Sequence, residues 1–408
     1  MVSNLRLFVV PTDRPCAESL LSYVPEIQRL AGYGPVHVMI MEDRRLPPDA
    51  SRDHRSAIKE VARCADGVEG SVLTQADWTA LTSKREWPHV IRHMMLDEGV
   101  SYGRAFNKCA LIASSLGASV IHKRDSDTSL PSVCAEVDLY PVDIEHSVLR
   151  DEDCDVVGGN YWGQWNVSLG PLVGEPDRLR LILSAHGIPV VGQNSIIDEQ
   201  LPRASRPPTT ERGGITRGAY PDLGNCAFRT VAALSFPAPV ALDMIGTDYI
   251  FLAQAVRLGR AWLHGVSVRH EHGPERGEDL YCHDYWLRRA KQMDFLFLLH
   301  QLESVGKRSV DFESERHRLV EAIGRLPNLL EDIEPLRRVH WGAYAEAFRG
   351  SRLDVATSIA SDIRGIEASA QGQNNIEMVE YRQLLMRWPQ VSKHLVSELR
   401  EFFGGVAS

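Results

Sequence analysis

The chain has 408 residues, 44% of them hydrophobic, and a formal net charge of −9. That length exceeds one average domain and suits a large α/β domain with an accessory part. The acidic balance argues against a general nucleic-acid footprint, but it leaves room for nucleotides whose phosphates a bound metal would neutralise.

Seven cysteines (16, 64, 109, 134, 154, 226 and 282) are scattered without a Cys-x-x-Cys pair. They read as buried reduced thiols in a cytosolic protein, not as a zinc site. Met1 to Val10 lacks the features of a signal peptide and reads as a first strand. No run approaches the roughly 18 apolar residues of a membrane span.

Leu5 to Val10 is expected to be a buried strand, followed by the Pro-bracketed turn Pro11-Thr-Asp-Arg-Pro15. Cys16 to Ala31 reads as an amphipathic helix, and Val36 to Met41 as a second strand ending in Glu42-Asp43. Strand, helix and strand with short links predict a parallel crossover, which puts both loops on one sheet edge. The acidic pair there can accept hydrogen bonds from a base or ribose, or it can be a solvated strand end. Residues 49 to 66 read as a charged helix. Residues 67 to 100 give no clear pattern, and Trp78 and Trp87 suit either a core or a lid.

Tyr102 to Gly117 reads as a helix that stops at glycine and feeds the strand Ser119-Val-Ile121. That strand runs into Arg124-Asp-Ser-Asp127. Two carboxylates spaced i, i+2 at a strand's carboxyl end can reach one hard cation such as Mn²⁺ or Mg²⁺. The plainer alternative is an Asx-turn. Residues 138 to 153 are expected to be helix or loop. Asp155 to Gly158 is expected to be a strand, with Tyr161, Trp162, Gln164 and Trp165 beyond it as stacking partners for a sugar or as ordinary packing. Residues 199 to 218, rich in Pro, Gly and Arg, read as a basic lid or a plain connection.

Leu223 to Arg229 precedes a helix, and Asp248 opens the next one, which ends at Gly259. Trp262 to Val268 is expected to be a strand ending in Arg269-His-Glu-His-Gly273. Its two histidines are metal-ligand candidates or simple loop residues. Residues 280–303, 312–325, 330–349, 352–370 and 374–403 read as helices that pack on the preceding domain, help form an acceptor pocket or dimerise.

In this order, the motifs resemble those of GT-A-fold glycosyltransferases, especially their large inverting family. The resemblance rests on Val9 to Pro15, Gly103-Arg104 with Asn107-Lys108, Arg124 to Asp127, Gly224 to Arg229, Gly246-Thr-Asp248, and His270 or His272. It implies an α/β, Rossmann-like, mainly parallel sheet flanked by helices, with residues 1–277 as the catalytic domain. The donor half would be about 1–130, the acceptor half 131–277, and 278–408 a helical accessory or dimerisation region.

The resemblance assigns Pro11, Thr12, Arg14, Glu42, Asp43, Arg104, Asn107, Lys108, Arg124 and Asp125 to the nucleotide-sugar donor. It assigns Asp127 with His270 or His272 to Mn²⁺ or Mg²⁺, Trp162, Trp165 and Asn225 to the acceptor, and Asp248 to the base. The implied partners are a UDP- or GDP-sugar and a small-molecule or peptide acceptor, with natural-product biosynthesis as the setting and the cytoplasm as the compartment.

Three features depart from the family pattern: Thr247 where an acidic residue is usual, Glu-Asp after the second strand, and the long 199–218 loop. A retaining transferase, a nucleotidyltransferase and a non-catalytic binding protein stand as alternatives. The turn after the first strand is not glycine-rich, which weighs against the nucleotidyltransferase.

Overall fold

The structure is a computed structural model. It describes residues 4–44, 46–82, 101–150, 153–163, 177, 180, 215–241, 244–270, 283–303, 309–348 and 354–406. Trp87, Gln164, Trp165, residues 199–214, His272 and Cys282 therefore lie outside the described residues.

In chain order the elements are β1 (Arg6–Thr12), α1 (Ala17–Ser22), α2 (Val24–Ala31), β2 (Val36–Glu42), α3 (Pro48–Cys64), β3 (Val68–Leu73) and α4 (Gln75–Thr82). Next come α5 (Tyr102–Leu116), β4 (Val120–Arg124), β5 (Thr128–Ser129), α6 (Ser132–Glu136), α7 (Pro141–Val148), β6 (Val156–Gly158), β7 (Tyr161–Gly163) and β8 (Thr216–Arg217). The chain continues through β9 (Asn225–Arg229), α8 (Thr230–Ser235), α9 (Tyr249–Arg257), β10 (Ala261–Leu263) and β11 (Val268–His270). It ends with α10 (His283–Glu303), α11 (Phe312–Gly324), α12 (Leu326–Phe348) and α13 (Asp354–Val406).

Eight strands form one sheet in the order β3-β2-β1-β4-β9-β6-β10-β8, in which β9 and β8 run against the rest. This is the expected α/β class, a mainly parallel sheet flanked by helices with a helical C-terminal region. The strands alternate strictly between two buried faces. Leu7, Val9, Met39 and Met41 point into one apolar cluster, which continues through Phe106 on α5 to Trp388 and Leu399 on α13. Phe8, Val10, Val38 and Ile40 point into the other, with Ile27, Ile58 and Val142 from α2, α3 and α7. The C-terminal helices thus close one face of the sheet; Tyr381, for instance, donates to the Pro237 carbonyl at 3.1 Å.

Several expected elements change shape. The helix expected over Cys16–Ala31 divides at Tyr23, and Pro25, at the start of α2, has no N–H to continue α1. The Trp262–Val268 strand becomes β10 and β11, because His264 Nδ1 accepts from the Val266 N–H at 3.1 Å and turns the chain between them. The last two expected helices are one helix of 53 residues. Gly372 does not break it, since buried Asn374 donates to the Lys291 carbonyl at 3.1 Å and packing outweighs the glycine penalty of about 1 kcal/mol. β3 and α4 lie within residues 68–82 of the stretch that gave no clear pattern, and Trp78 is core, with Lys108 Nζ 4.9 Å from its ring centre.

Cys16, Cys109, Cys134, Cys154 and Cys226 are buried free thiols. Burial pushes the Cys109 and Cys134 thiols up to about 12. Among the described residues no helix is long and apolar enough to cross a membrane.

Candidate active site

The carboxyl ends of the parallel strands share one edge, and there the polar residues gather. Helix α5 opens at Ser101, whose hydroxyl accepts from the Arg104 N–H at 3.2 Å, and stops at Gly117, where φ is 75°. β4 then carries Ile121 into one apolar cluster and ends in Arg124, so that Asp125 and Asp127 leave the sheet at its edge. The Gly224 carbonyl accepts from the Asp125 N–H at 3.2 Å. A Cβ on Gly224 would sit 2.2 Å from the Asp125 carboxylate, so only glycine permits this approach.

A second, three-stranded sheet, β5-β11-β7, assembles the rest. β11 pairs antiparallel with β5, setting His270 opposite Thr128, and parallel with β7, setting Arg269 opposite Trp162. Asp127 Oδ1 lies 3.5 Å from His270 Nε2, both side chains being nearly buried. The Tyr161 ring stacks on His270 with centroids 4.6 Å apart, and its hydroxyl donates to Asp125 Oδ2 at 2.5 Å. Trp162 is half-buried, with the Arg269 guanidinium 5.7 Å from its ring centre.

Asp248 stands at the start of α9, buried, and its Oδ2 is 4.0 Å from Lys123 Nζ. Its Oδ1 is buried without a hydrogen-bond partner. Burial pushes its carboxyl up to about 6; Lys123 pulls it down and Asp125 pushes it up further. Carboxyls poised near neutrality in this way suit proton transfer. Thr247, where the family pattern has an acid, accepts from the Gly103 N–H at 2.9 Å and ties this loop to α5.

Other expected site residues are held by protein partners. Glu42 accepts from Ser51 Oγ at 2.9 Å and pairs with His54 Nδ1 at 2.9 Å, and His54 Nε2 accepts from the Cys16 N–H at 3.0 Å. Both Glu42 oxygens are therefore engaged by α3. Asn107 donates to the Ala238 carbonyl and accepts from its N–H, both at 2.8 Å, so it clasps that backbone instead of a donor.

Arg124 is fully buried between Glu26, which its Nη2 meets at 2.5 Å, and Glu145, which it meets at 3.1 Å. It is a core ion pair. Asn225 is fully buried; its Nδ2 donates to the Val266 carbonyl at 3.1 Å, and its Oδ1 is buried without a hydrogen-bond partner.

Asp43, Arg104 and Lys108 were expected to meet a nucleotide and instead meet one another. Arg104 Nη2 donates to Asp43 Oδ2 at 3.1 Å and Lys108 Nζ to Oδ1 at 2.8 Å, all three buried. The Asp43 N–H donates to the Thr12 carbonyl at 2.8 Å, which fixes the trio behind the end of β1. Burial lowers the Lys108 pKa, and the Asp43 carboxylate beside it acts the other way. Arg14 is partly exposed and donates to Asp13 at 2.9 Å; Pro11 and Thr12 lie at the same edge, Pro11 half-buried and Thr12 buried.

Sequence reasoning missed Lys123 and Tyr161's grip on Asp125. The available signal was spacing, because Lys123 and Asp125 sit i, i+2 on one side of an extended segment.

A model for a family of unknown function, DUF6271, matches residues 6–161. No curated protein matches the chain. Among solved structures, glucosyl-3-phosphoglycerate synthase from Mycobacterium tuberculosis, in complex with Mn²⁺, UDP and glucosyl-3-phosphoglycerate, is 12% identical. That match covers 68% of this chain and 75% of that one, with a TM-score of 0.37. A mannosyltransferase from Pyrobaculum calidifontis, in complex with GDP-Man and Mn²⁺, is 14% identical. It covers 93% of this chain and 86% of that one, with a TM-score of 0.39.

Proposed function

We propose that the chain is a metal-dependent glycosyltransferase of GT-A type that moves a sugar from a nucleotide-sugar donor to a soluble acceptor with inversion. The observation that carries this reading is one juxtaposition at the carboxyl edge of the sheet. It brings together the Asp127–His270 pair, the Asp125 carboxylate and the buried Asp248 with its unpartnered oxygen. Residues 1–277 form the catalytic part in this reading, with the donor at about 1–130, and residues 278–408 support it.

The residues present fit a divalent ion. Two donors about 2.1 Å from one ion in neighbouring octahedral positions lie about 3 Å apart, close to the 3.5 Å between Asp127 and His270. Among the described residues no group of three His, Cys, Asp or Glu side chains suits a metal. The remaining ligands would come from the donor diphosphate and water, as is usual for Mg²⁺. When bound, the ion supplies charge that stabilises the leaving diphosphate.

The protein's own residues do the rest. Pro11, Thr12 and Arg14 form the edge on which the base and ribose lie. The Asp43–Arg104–Lys108 trio sits behind it and braces that edge. Asp248 accepts the acceptor's proton as its oxygen attacks the anomeric carbon from the face opposite the leaving group. Trp162 offers the sugar or acceptor a stacking face.

Turnover of UDP-, GDP- and dTDP-sugars with Mn²⁺ or Mg²⁺, with NMR assignment of the product anomer, tests the reading. One nucleotide class should be consumed, chelation should abolish the reaction, and the anomeric configuration should invert. Retention would recast Asp248 as an orienting group. Failure to consume any nucleotide sugar with either metal would overturn the proposal.

A further inference from the structure

We propose that Lys123 is a positioning residue that bridges the donor-side carboxylate Asp125 and the proton-accepting carboxylate Asp248, an inference that rests on the glycosyltransferase reading. Lys123 is the fourth residue of β4, and its side chain is 4% exposed. Its Nζ donates to Asp125 Oδ1 at 2.6 Å, lies 4.0 Å from Asp248 Oδ2 and reaches the Leu223 carbonyl at 3.4 Å. One ammonium thus touches the strand that delivers Asp125, the segment that precedes β9, and the helix start that delivers Asp248. A flexible stem ending in a compact point charge suits such a bridge better than a planar guanidinium.

The arrangement does three things. It neutralises part of the repulsion between two carboxylates that must share one cleft. It holds Asp125 against Tyr161, whose ring in turn packs on His270, so the bridge reaches the metal pair at second hand. It also keeps Asp248 ionised at a pH where burial alone would protonate it.

Among the described residues, few charges face Asp248. Lys123 and Asp125 come from the end of β4, and the backbone N–H groups of Asp248 and Tyr249 also lower its carboxyl; the Tyr249 hydroxyl donates to Asp222, ahead of β9, at 3.4 Å. Gln292 of α10, which packs on the Gly246 carbonyl at 3.1 Å, is neutral. Burial lowers the Lys123 pKa, but Asp125 and Asp248 outweigh it and leave the ammonium firmly charged.

The test is a carboxyl ¹³C NMR titration of Asp248 in metal-free full-length protein, assigned with Asp248→Asn, beside the pH profile of turnover. Lys123→Met should raise the Asp248 midpoint by about one unit or more and move the acid limb of kcat/KM with it. Asp125→Asn should lower the midpoint, because Lys123 then faces Asp248 alone. Lys123→Arg should return it towards wild type. Opposite shifts from the two variants are beyond a purely structural role, and Asp125→Asn still reads the coupling if Lys123→Met does not fold.

An Asp248 midpoint that ignores both substitutions overturns the inference. Opposite shifts without turnover of any nucleotide sugar would keep the bridge and reject the glycosyltransferase reading instead.

Discussion

Asp248→Asn is expected to lower turnover by about 10²- to 10⁴-fold, the usual worth of a positioned general base, while leaving donor binding intact. It should also make the protein more stable at neutral pH. The second effect follows from burial. The carboxyl is pushed from 3.8 up to about 6 in the folded chain. A carboxyl whose pKa is higher folded than unfolded binds its proton more tightly in the native state, so its ionisation costs stability. The cost is absent below pH 3.8, grows between 3.8 and about 6, and is complete above that. At 1.36 kcal/mol per pKa unit it is on the order of 2–3 kcal/mol.

Asparagine keeps the shape and removes the charge, so urea unfolding at pH 7.5 should show a higher midpoint for the variant, and the difference should vanish near pH 4. Loss of activity with a gain in stability is the signature of a strained functional group. Full activity in the variant, or a loss of stability at pH 7.5, would remove Asp248 from the role of base.

The largest loss of stability is expected far from the cleft. Asp294 on α10 is fully buried and gathers three other helical residues. Its Oδ1 accepts from Arg337 Nε at 2.7 Å and from Trp341 Nε1 at 2.9 Å. Its Oδ2 accepts from Arg337 Nη2 and, at 2.6 Å, from Asn374 Nδ2. The knot joins α10, α12 and α13. Asp294→Ala removes the buried carboxylate from the buried Arg337 guanidinium, which also meets Glu334 and Asn375, each at 3.1 Å.

Breaking one side of a buried pair costs about 3–5 kcal/mol, a large part of a stability of about 5–15 kcal/mol. The neighbouring Gln292 holds the Gly246 carbonyl, so the same change should loosen the loop that carries Asp248. Chemical denaturation checks the magnitude, and a change below about 1 kcal/mol would mean the knot adds little.

The parts of the fold legible in the sequence were those with a strong local period. β1 and β2 are continuous apolar runs, and α5 feeding β4 is marked by Gly117 and by the Asp125–Asp127 pair that follows. What stayed hidden was pairing between polar residues far apart in the chain. Asp43, Arg104 and Lys108 each look like ligand-binding groups alone, yet they pair with one another across 61 and 65 residues. Glu42, Asn107 and Arg124 likewise have protein partners far from them in sequence or across the sheet. A sequence shows which residues carry charge but not which long-range partner has already taken it.

The opposite error hid α13. Helices were expected over 352–370 and 374–403, but the buried hydrogen bonds of Asn374 carry one helix through Gly372 between them.

The central claim is that Asp127 and His270 hold a divalent ion under a nucleotide diphosphate. Calorimetry of the full-length protein with UDP-, GDP- and dTDP-sugars, with and without Mn²⁺, beside Asp127→Ala, tests it most directly. The account predicts binding of one nucleotide class that requires Mn²⁺ and is weakened at least about tenfold by the substitution. A folded protein that binds none of the three, or binds equally without Mn²⁺ and with Asp127 removed, would contradict it.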